Sequence, residues 1–202
     1  MALTRRAKTL TDAQFRALLH FVETETLFPD RNRVIVLLAF KAGLRAKEVG
    51  GVTWGMLTDA EGELKNTVAL ENLATKGNSG REIPLHKQLR DALAVLLGQA
   101  RSRGPVGPND FVVTFRRGSS DLVTRSNTVQ FLFKDWFRRL GFERASSHSG
   151  RRTFITTAAR RIFEVGGSLV DVQRLAGHSS VSLTQLYVDT DADAQRKVIA
   201  LI

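Results

Sequence analysis

The sequence predicts a mainly α-helical domain that carries a small, three-stranded antiparallel β-sheet. Apolar residues recur at helical spacing through most of the 202-residue chain, as amphipathic helices require. One stretch in the first half interrupts this pattern with short β-favouring segments separated by turns rich in Asp, Gly and Asn. A chain of this length suits a single domain that can bury an adequate core.

Two helices are predicted at the start of the chain. Thr11 and Gln14 have the form of a capping box, which marks a helix N-terminus. The apolar stripe that follows is Phe15, Leu18, Leu19 and Val22. A new segment begins at Pro29. Residues 31–41 are apolar on nearly every side, as expected of a helix buried in the centre of a helical layer. Gly43 ends that second helix.

The β-favouring segments are residues 52–54, 67–73 and 82–85. We expect them to form the antiparallel sheet. The turn at residues 76–80 is long and rich in glycine, which predicts an exposed and mobile connection. A further short extended segment is predicted at residues 111–115.

Helical periodicity returns after His86 and dominates the second half. Ser126 is expected to cap a long helix that Gly141 closes. In the helix predicted after Ser147, the buried stripe extends backwards to Arg151. An arginine on the inward side of a helix needs an anion or a carboxylate as its partner. Two short helices, at 168–176 and 181–188, and an apolar-faced tail at 192–201 complete the prediction.

The charge balance points to a polyanionic partner. Thirty Lys and Arg residues against twenty Asp and Glu give a formal charge of +10 and a pI near 10.8, and such a field attracts phosphates at a distance. The absence of cysteine excludes a disulfide framework and a thiol nucleophile. The longest apolar run, residues 34–40, is too short to span a bilayer, and no signal peptide is evident, so we expect a cytoplasmic protein.

Tyr187 is the candidate nucleophile, since the chain has twelve phenylalanines and this one tyrosine. The pair Gly177 and His178 precedes it, and Ser179 and Ser180 offer a helix cap between them. The other interpretation is an ordinary amphipathic core residue with a solvated hydroxyl.

Four sequence motifs, taken together, resemble the tyrosine recombinase, or phage integrase, family. In chain order they are AGLRAKEV at residues 42–49, TKG with REIPL at 75–77 and 81–85, HSGRRTF at 148–154, and the Gly-His pair at 177–178 with Tyr187. The resemblance spans residues 42–187 and implies an integrase-like catalytic core. It further implies site-specific DNA strand cleavage and rejoining through a 3′-phosphotyrosine.

The resemblance also implies roles for individual residues. Tyr187 would attack a DNA phosphate, and Arg45 and Arg151 would clamp its non-bridging oxygens. Guanidinium suits that position because it is planar and always charged. His148 would give acid/base help toward Tyr187, and His178 would donate a hydrogen bond to a non-bridging oxygen.

The matching hairpin implies that Lys76 protonates the departing 5′-oxygen. Lysine suits this role because its flexible stem can reach the site and its proton is transferable. The alternative is that Lys76 is one more cation that contacts the DNA backbone. Glu48 would hold Arg45 in place, and Arg81 and Arg152 are predicted to contact the DNA backbone.

The chain also departs from the family pattern. Ser149-Gly150 and Arg152 stand where the family commonly carries Asp-Leu and His. We expect a basic arm at residues 1–10, the catalytic domain at 11–190, and a C-terminal helical tail at 191–202 that docks on a neighbouring protomer. Family members usually have a separate helical domain before the catalytic one, so the chain is either a catalytic-domain fragment or a minimal protein.

Double-stranded DNA is the expected partner, with self-association on DNA up to a tetrameric synapse. No histidine pair has metal-ligand spacing and there is no P-loop, so no metal, nucleotide or other cofactor is predicted. Two rival functions remain. One is an accessory DNA-binding relative that lacks the N-terminal clamp domain and does not cut. The other is a nicking or topoisomerase-like enzyme that needs no partner site.

Overall fold

The computed structural model describes residues 7–70, 80–115 and 121–187. Within these ranges the chain forms a helical domain with one small sheet. The elements in order are α1 (Asp12–Thr24), α2 (Pro29–Lys41), α3 (Ala46–Gly51), β1 (Thr67–Leu70), β2 (Arg81–Pro84), α4 (Lys87–Arg101), α5 (Leu122–Arg139), α6 (His148–Arg161), α7 (Leu169–Ala176) and α8 (Val181–Gln185). Short 3₁₀ turns lie at Trp54–Met56 and Ile162–Val165. None of the helices described is long and apolar enough to cross a membrane.

The capping box predicted for the first helix is confirmed. The amide of Gln14 donates to Thr11 Oγ1 at 3.2 Å, and the amide of Thr11 donates back to Gln14 Oε1 at 3.1 Å. Helix α2 begins at Pro29, two residues earlier than predicted, because a proline at the first position lacks only an amide that would have had no partner. Its residues from Val34 to Phe40 are all buried.

In the part of the chain that is described, the sheet has two strands and not the predicted three. Strands β1 and β2 pair antiparallel, with Val68 opposite Ile83. The segment 52–54 does not join them, because Thr53 forms an isolated bridge with Phe111 and the amide of Trp54 donates to Asp110 O at 2.9 Å. It therefore pairs with the loop after α4. The end of the predicted second strand, residues 71–73, lies outside the described residues.

Helix α5 begins five residues earlier than predicted. Its cap is Asp121, whose Oδ1 accepts a hydrogen bond from the amide of Thr124 at 2.8 Å, so the prediction that Ser126 caps this helix was wrong. A carboxylate at this position also interacts favourably with the helix dipole. The predicted closing glycine is confirmed, since Gly141 follows the helix with a φ of 66°.

Two hydrophobic clusters of very different size hold the fold together. The larger one draws buried residues from α1 to α5 and from both strands. The smaller one is formed by Ile155, Ala159, Val172 and Ala176, from α6 and α7. Helix α7 packs against α6 and β2, and α8 packs against α7. The candidate site draws residues from the start of α3, from α6 and from the segment round α8.

Candidate active site

Arg45 lies at the start of α3, in the extended conformation of an N-cap residue. Its amide donates to Glu48 Oε2 at 2.7 Å, and its Nη1 donates to Glu48 Oε1 at 2.9 Å. These are its hydrogen bonds to the described part of the chain, and its side chain remains 30% exposed. The carboxylate therefore orients the guanidinium, and Nε and Nη2, which have no partner in the described part of the chain, can bind an anion.

Arg151 points inward from the first turn of α6 and is 5% exposed, as its place on the apolar stripe predicted. Its partners differ from the expected anion or carboxylate. Nη1 donates to Gly43 O at 2.8 Å, and Nη2 donates to Ala176 O at 2.6 Å. Burial, and next the charge of Arg45, lower the pKa of Arg151 to about 10, which leaves it charged at neutral pH.

The side chain of Arg81, which was predicted to contact the DNA backbone, is engaged mostly inside the protein. Its side chain is 5% exposed. Nη1 and Nη2 donate to the two oxygens of Glu48 at 3.0 and 3.1 Å, and Nε donates to Leu175 O at 3.0 Å. Such a forked pair is the geometry that guanidinium and carboxylate favour.

Glu48 is thus shared by two arginines and is 1% exposed. Burial alone would raise the pKa of Glu48, but the hydrogen bonds and charge of Arg81, reinforced by Arg45, hold that pKa below its usual value. The prediction that Glu48 holds Arg45 agrees with this geometry. What the sequence did not indicate is the second arginine, which lies 33 residues further along the chain.

The C-terminal end of α7 is fixed by two arginines from different elements. Arg81 binds the carbonyl of Leu175, and Arg151 binds the carbonyl of Ala176. Gly177 follows with a φ of 62°, and a Cβ there would come within 2.9 Å of the Arg81 side chain. This glycine is required both by the left-handed backbone and by the close approach.

His178 is held on its backbone and on its ring. Its amide donates to Gln173 O at 3.1 Å, and Gln173 Nε2 donates back to His178 O at 3.0 Å. Its Nδ1 lies 2.9 Å from Thr184 Oγ1. Burial, followed by the charges of three nearby arginines, lowers the pKa of His178 to about 4. The imidazole is therefore neutral at physiological pH.

Tyr187 lies just beyond α8 rather than within it. The helix was predicted to continue to residue 188, but it ends at Gln185, and the Tyr187 amide donates to Thr184 O at 3.0 Å in the turn that follows. The Tyr187 ring stacks on His178 with centroids 5.7 Å apart, and the guanidinium carbon of Arg152 lies 5.9 Å from its centre.

One open cleft of about 420 Å³ brings these groups together. Its lining residues are Ala7, Arg45, His148, Arg151, Arg152, His178, Leu183, Leu186 and Tyr187. Five of the six predicted catalytic residues are among them, drawn from positions that span most of the chain. The sixth, Lys76, lies outside the described residues. His148 is exposed at the mouth, at the N-terminus of α6.

Sequence inspection missed two polar residues that shape this site. Gln173 fixes the backbone of His178, and Thr184 contacts its ring. A signal for Thr184 was present, because it lies three residues before Tyr187 and therefore on the same face of the helix predicted at 181–188. Gln173, four residues before Gly177, carries no comparable signal.

The comparisons with known proteins agree with this arrangement. The model of the phage integrase family matches residues 8–194. The cleft of arginines, histidines and one tyrosine thus lies within the matched residues, and the chain belongs to the phage integrase family.

Among curated relatives, the chain is 29% identical to tyrosine recombinase XerC of Pseudomonas aeruginosa (strain LESB58) over 161 residues, which is 80% of this chain and 48% of that protein. It is also 29% identical to tyrosine recombinase XerA of Thermococcus kodakarensis over 195 residues, 94% of this chain and 61% of that one. The chain therefore spans about half to three fifths of these relatives.

Solved structures share the fold at lower identity. A XerA recombinase superposes with a TM-score of 0.69 at 21% identity, covering 96% of this chain and 64% of that one. The Tn1549 transposon integrase in complex with a circular intermediate DNA gives 0.73 at 20% identity, covering 99% and 67%. XerH bound to its difH substrate also gives 0.73, at 19% identity, covering 99% and 55%.

Proposed function

We propose that this protein is a tyrosine-type site-specific DNA recombinase that cuts and rejoins strands through a 3′-phosphotyrosine. The observation that carries the proposal is the cleft itself. Arg45, His148, Arg151, His178 and Tyr187 line one open concavity although they come from separate elements. Double-stranded DNA is the proposed substrate, consistent with the net charge of +10.

The reaction is an exchange of phosphate esters. The Tyr187 oxygen attacks the scissile phosphorus, the bond to the 5′-oxygen breaks, and a 3′-phosphotyrosyl link and a free 5′-hydroxyl result. The phenolic proton leaves through a base, and the departing oxygen takes a proton from an acid. A 5′-hydroxyl from a second duplex then reverses the step and regenerates Tyr187, so the cycle needs no external energy source.

The arginines supply the electrostatics of this exchange. Charge develops on the non-bridging oxygens, and donors that are already fixed in place stabilise it without reorganisation. Arg45 is held by Glu48 and presents its remaining nitrogens to the cleft. Arg151 uses two N–H groups on carbonyls, and three of its five have no partner among the described residues and can bind a phosphate.

The proton transfers fall to groups at the edge of the cleft. His148 is exposed and stands three residues before Arg151, on the same face of α6, so it can act as base toward Tyr187. Lys76 remains the proposed acid for the leaving oxygen. A positioned acid contributes on the order of 10²- to 10⁴-fold to such a step.

Arg152 remains a proposed contact to the DNA backbone. Its Nε is buried without a hydrogen-bond partner among the described residues, and its guanidinium lies beside the cleft. An incoming phosphate would supply that partner. We also propose self-association on DNA, with residues 191–202 docking on a neighbouring protomer, in the cytoplasm.

A pool of nicked duplexes with randomised sequence round the nick tests the chemistry. After cleavage near the nick, the short strand with its 5′-hydroxyl diffuses away, and the protein stays linked to the 3′-phosphate. Denaturing electrophoresis should show this adduct, and peptide mapping should place it on Tyr187. The conservative variant Tyr187→Phe keeps the ring and should give no adduct.

The same assay separates the rival functions. An adduct that survives in Tyr187→Phe would overturn the assignment of the nucleophile. Retarded duplex without any adduct would identify an accessory DNA-binding protein. With two intact duplexes that share a cleavable site, a recombinase should exchange strands between them, whereas a nicking enzyme, which needs no partner site, should reseal each duplex without exchange.

A further inference from the structure

Thr184 is a fully buried threonine whose hydroxyl has an unusual partner. It is 0% exposed, and its Oγ1 lies 2.9 Å from Nδ1 of His178. Threonines inside helices commonly donate to the carbonyl four residues earlier, as Thr128 and Thr153 do at 2.9 and 2.7 Å. Among the described residues Thr184 has the imidazole as its hydrogen-bond partner instead.

The direction of this hydrogen bond decides which ring nitrogen of His178 carries the proton. A neutral imidazole has one N–H donor and one bare acceptor nitrogen. If the hydroxyl donates to Nδ1, the proton of the ring sits on Nε2. If Nδ1 donates to the hydroxyl, the threonine proton is left buried without an acceptor in the described structure, and orphaned buried donors are rarer than orphaned acceptors. The donating hydroxyl is therefore favoured.

The charges round the ring keep His178 neutral and make the choice of tautomer matter. The groups that face it are Arg45 before α3, Arg81 on β2, Arg151 on α6 and Tyr187 after α8. Three positive charges disfavour a fourth. A neutral ring can help a phosphate only through an N–H, because a bare nitrogen would repel the non-bridging oxygens.

We propose that Thr184 is a positioning residue that places the proton of His178 on Nε2, so that this nitrogen can donate to the scissile phosphate. Thr184 belongs to α8, the helix that leads directly into Tyr187. When α8 packs in place, it therefore positions Tyr187 and, at the same time, makes Nε2 of His178 the hydrogen-bond donor. The role in catalysis rests on the proposed function, whereas the assignment of the tautomer does not.

Long-range ¹H–¹⁵N correlation spectra of the free protein test the assignment directly. Neutral imidazole nitrogens with and without a proton have well-separated shifts, and the chain has four histidines to assign. In the wild-type protein near pH 7, we expect a bare Nδ1 and a protonated Nε2 for His178. A protonated Nδ1 would overturn the proposal. Because the measurement uses the wild-type protein, it does not depend on whether a variant folds.

Two variants of Thr184 extend the test. Thr184→Val keeps the shape but removes the hydroxyl, and should shift His178 toward the Nδ1-protonated tautomer. Thr184→Ser retains the hydroxyl and should restore the wild-type spectrum. Thr128→Val removes another helical hydroxyl, in α5, and should leave the His178 signals unchanged. Unchanged His178 signals in Thr184→Val would also overturn the proposal.

Single-turnover cleavage of the nicked duplexes supplies the functional readout. Thr184→Val should cleave about 10- to 100-fold more slowly, by analogy with the loss of a group that orients a metal-bound histidine, with unaltered DNA affinity. Thr184→Ser should recover most of the rate. An Nε2 tautomer in a protein that forms no adduct would refute the proposed function but leave the tautomer assignment standing. Equal cleavage rates in Thr184→Val and wild type would refute the catalytic role of Thr184.

Discussion

The regions on the two sides of the cleft are held together by different forces. The α1–α5 region, with both strands, forms the large hydrophobic cluster. It also holds Arg45, which donates a hydrogen bond to the buried carboxylate of Glu48. The α6–α8 region has four buried hydrophobic residues of its own and carries Arg151, His178 and Tyr187. Since apolar burial is the dominant stabilising force, the nucleophile sits on the less stabilised side.

Polar contacts compensate for the small core of the α6–α8 region. Arg151 and Arg81 bind consecutive carbonyls at the end of α7, Gln173 binds the backbone of His178, and Thr184 contacts its ring. Directional bonds of this kind fix geometry well but disappear together once the region opens. A region with few apolar contacts is expected to open locally at a lower free energy than the whole domain.

Replacing Arg151 should have the largest effect, because this side chain serves both the phosphate clamp and the packing of α7. Arg151→Met removes a guanidinium from the clamp, which should slow cleavage by about 10²- to 10³-fold. It also leaves the carbonyls of Gly43 and Ala176 without their partner, at a cost of about 1–3 kcal/mol for each. Single-turnover cleavage and native-state hydrogen exchange measure the two losses.

Hydrogen exchange gives the sharper comparison for this variant. Amides of α7 and α8 should lose protection in Arg151→Met, while those of α2 should lose much less. Arg174→Met, an exposed arginine on α7, is the matched control. A uniform loss across α2 and α7 would contradict a separately stabilised α6–α8 region.

Replacing Arg81 should have the next largest effect. Arg81→Met leaves Glu48 with a single arginine and removes the donor to Leu175 O, and breaking a buried pair costs about 3–5 kcal/mol. The exposed Arg90→Met serves as control. If Arg81 instead contacted DNA directly, its loss would lower DNA affinity without changing the free energy of unfolding.

The contrast between the regions also explains what sequence inspection could predict. The capping box at Thr11 and the helix stops at Gly141 and Gly177 were correct because each depends on neighbouring residues alone. The partners of Arg151 were not predicted, since Gly43 lies 108 residues away. Local pattern carries no information about contacts across such distances.

The same reasoning accounts for the error at 52–54 and for the partners of Arg81 that were not predicted. The β-favouring composition of residues 52–54 was recognised, but their pairing with Asp110 and Phe111 depends on where the loop after α4 folds back. Arg81 was predicted to contact the DNA backbone, and its sequence neighbours gave no sign of a buried carboxylate partner. Only the tertiary structure brings Glu48 to it.

A pair of isoleucines offers a matched comparison of the two clusters. Ile35 in α2 and Ile155 in α6 are both 0% exposed, and Ile→Val typically costs about 0.5–1.5 kcal/mol. Ile35→Val should lower the global free energy of unfolding. Ile155→Val should mainly speed exchange in α7 and α8 and leave the exchange of α2 nearly unchanged. Equal effects on both helices would mean that the two clusters unfold as one unit.

The smallest expected effect is a dependence on pH confined to the α6–α8 region. The folded pKa of His178 is about 4 against an ordinary value of 6.5, chiefly because of burial and then of the nearby arginines. Between these two values the unfolded chain binds a proton that the folded chain does not. Stability therefore rises with pH through this window, and it falls as pH drops from about 6.5 toward about 4. The ring is about half buried, so solvent screening should keep the effect modest.

Glu48 affects stability at lower pH, since its pKa is held below the ordinary value and its contribution to stability is lost only as pH falls through the folded pKa. Exchange in α7, corrected for the intrinsic rate, should accelerate from pH 7 to pH 5 in the wild type but not in His178→Gln. The same slope in both proteins would show that another group is responsible.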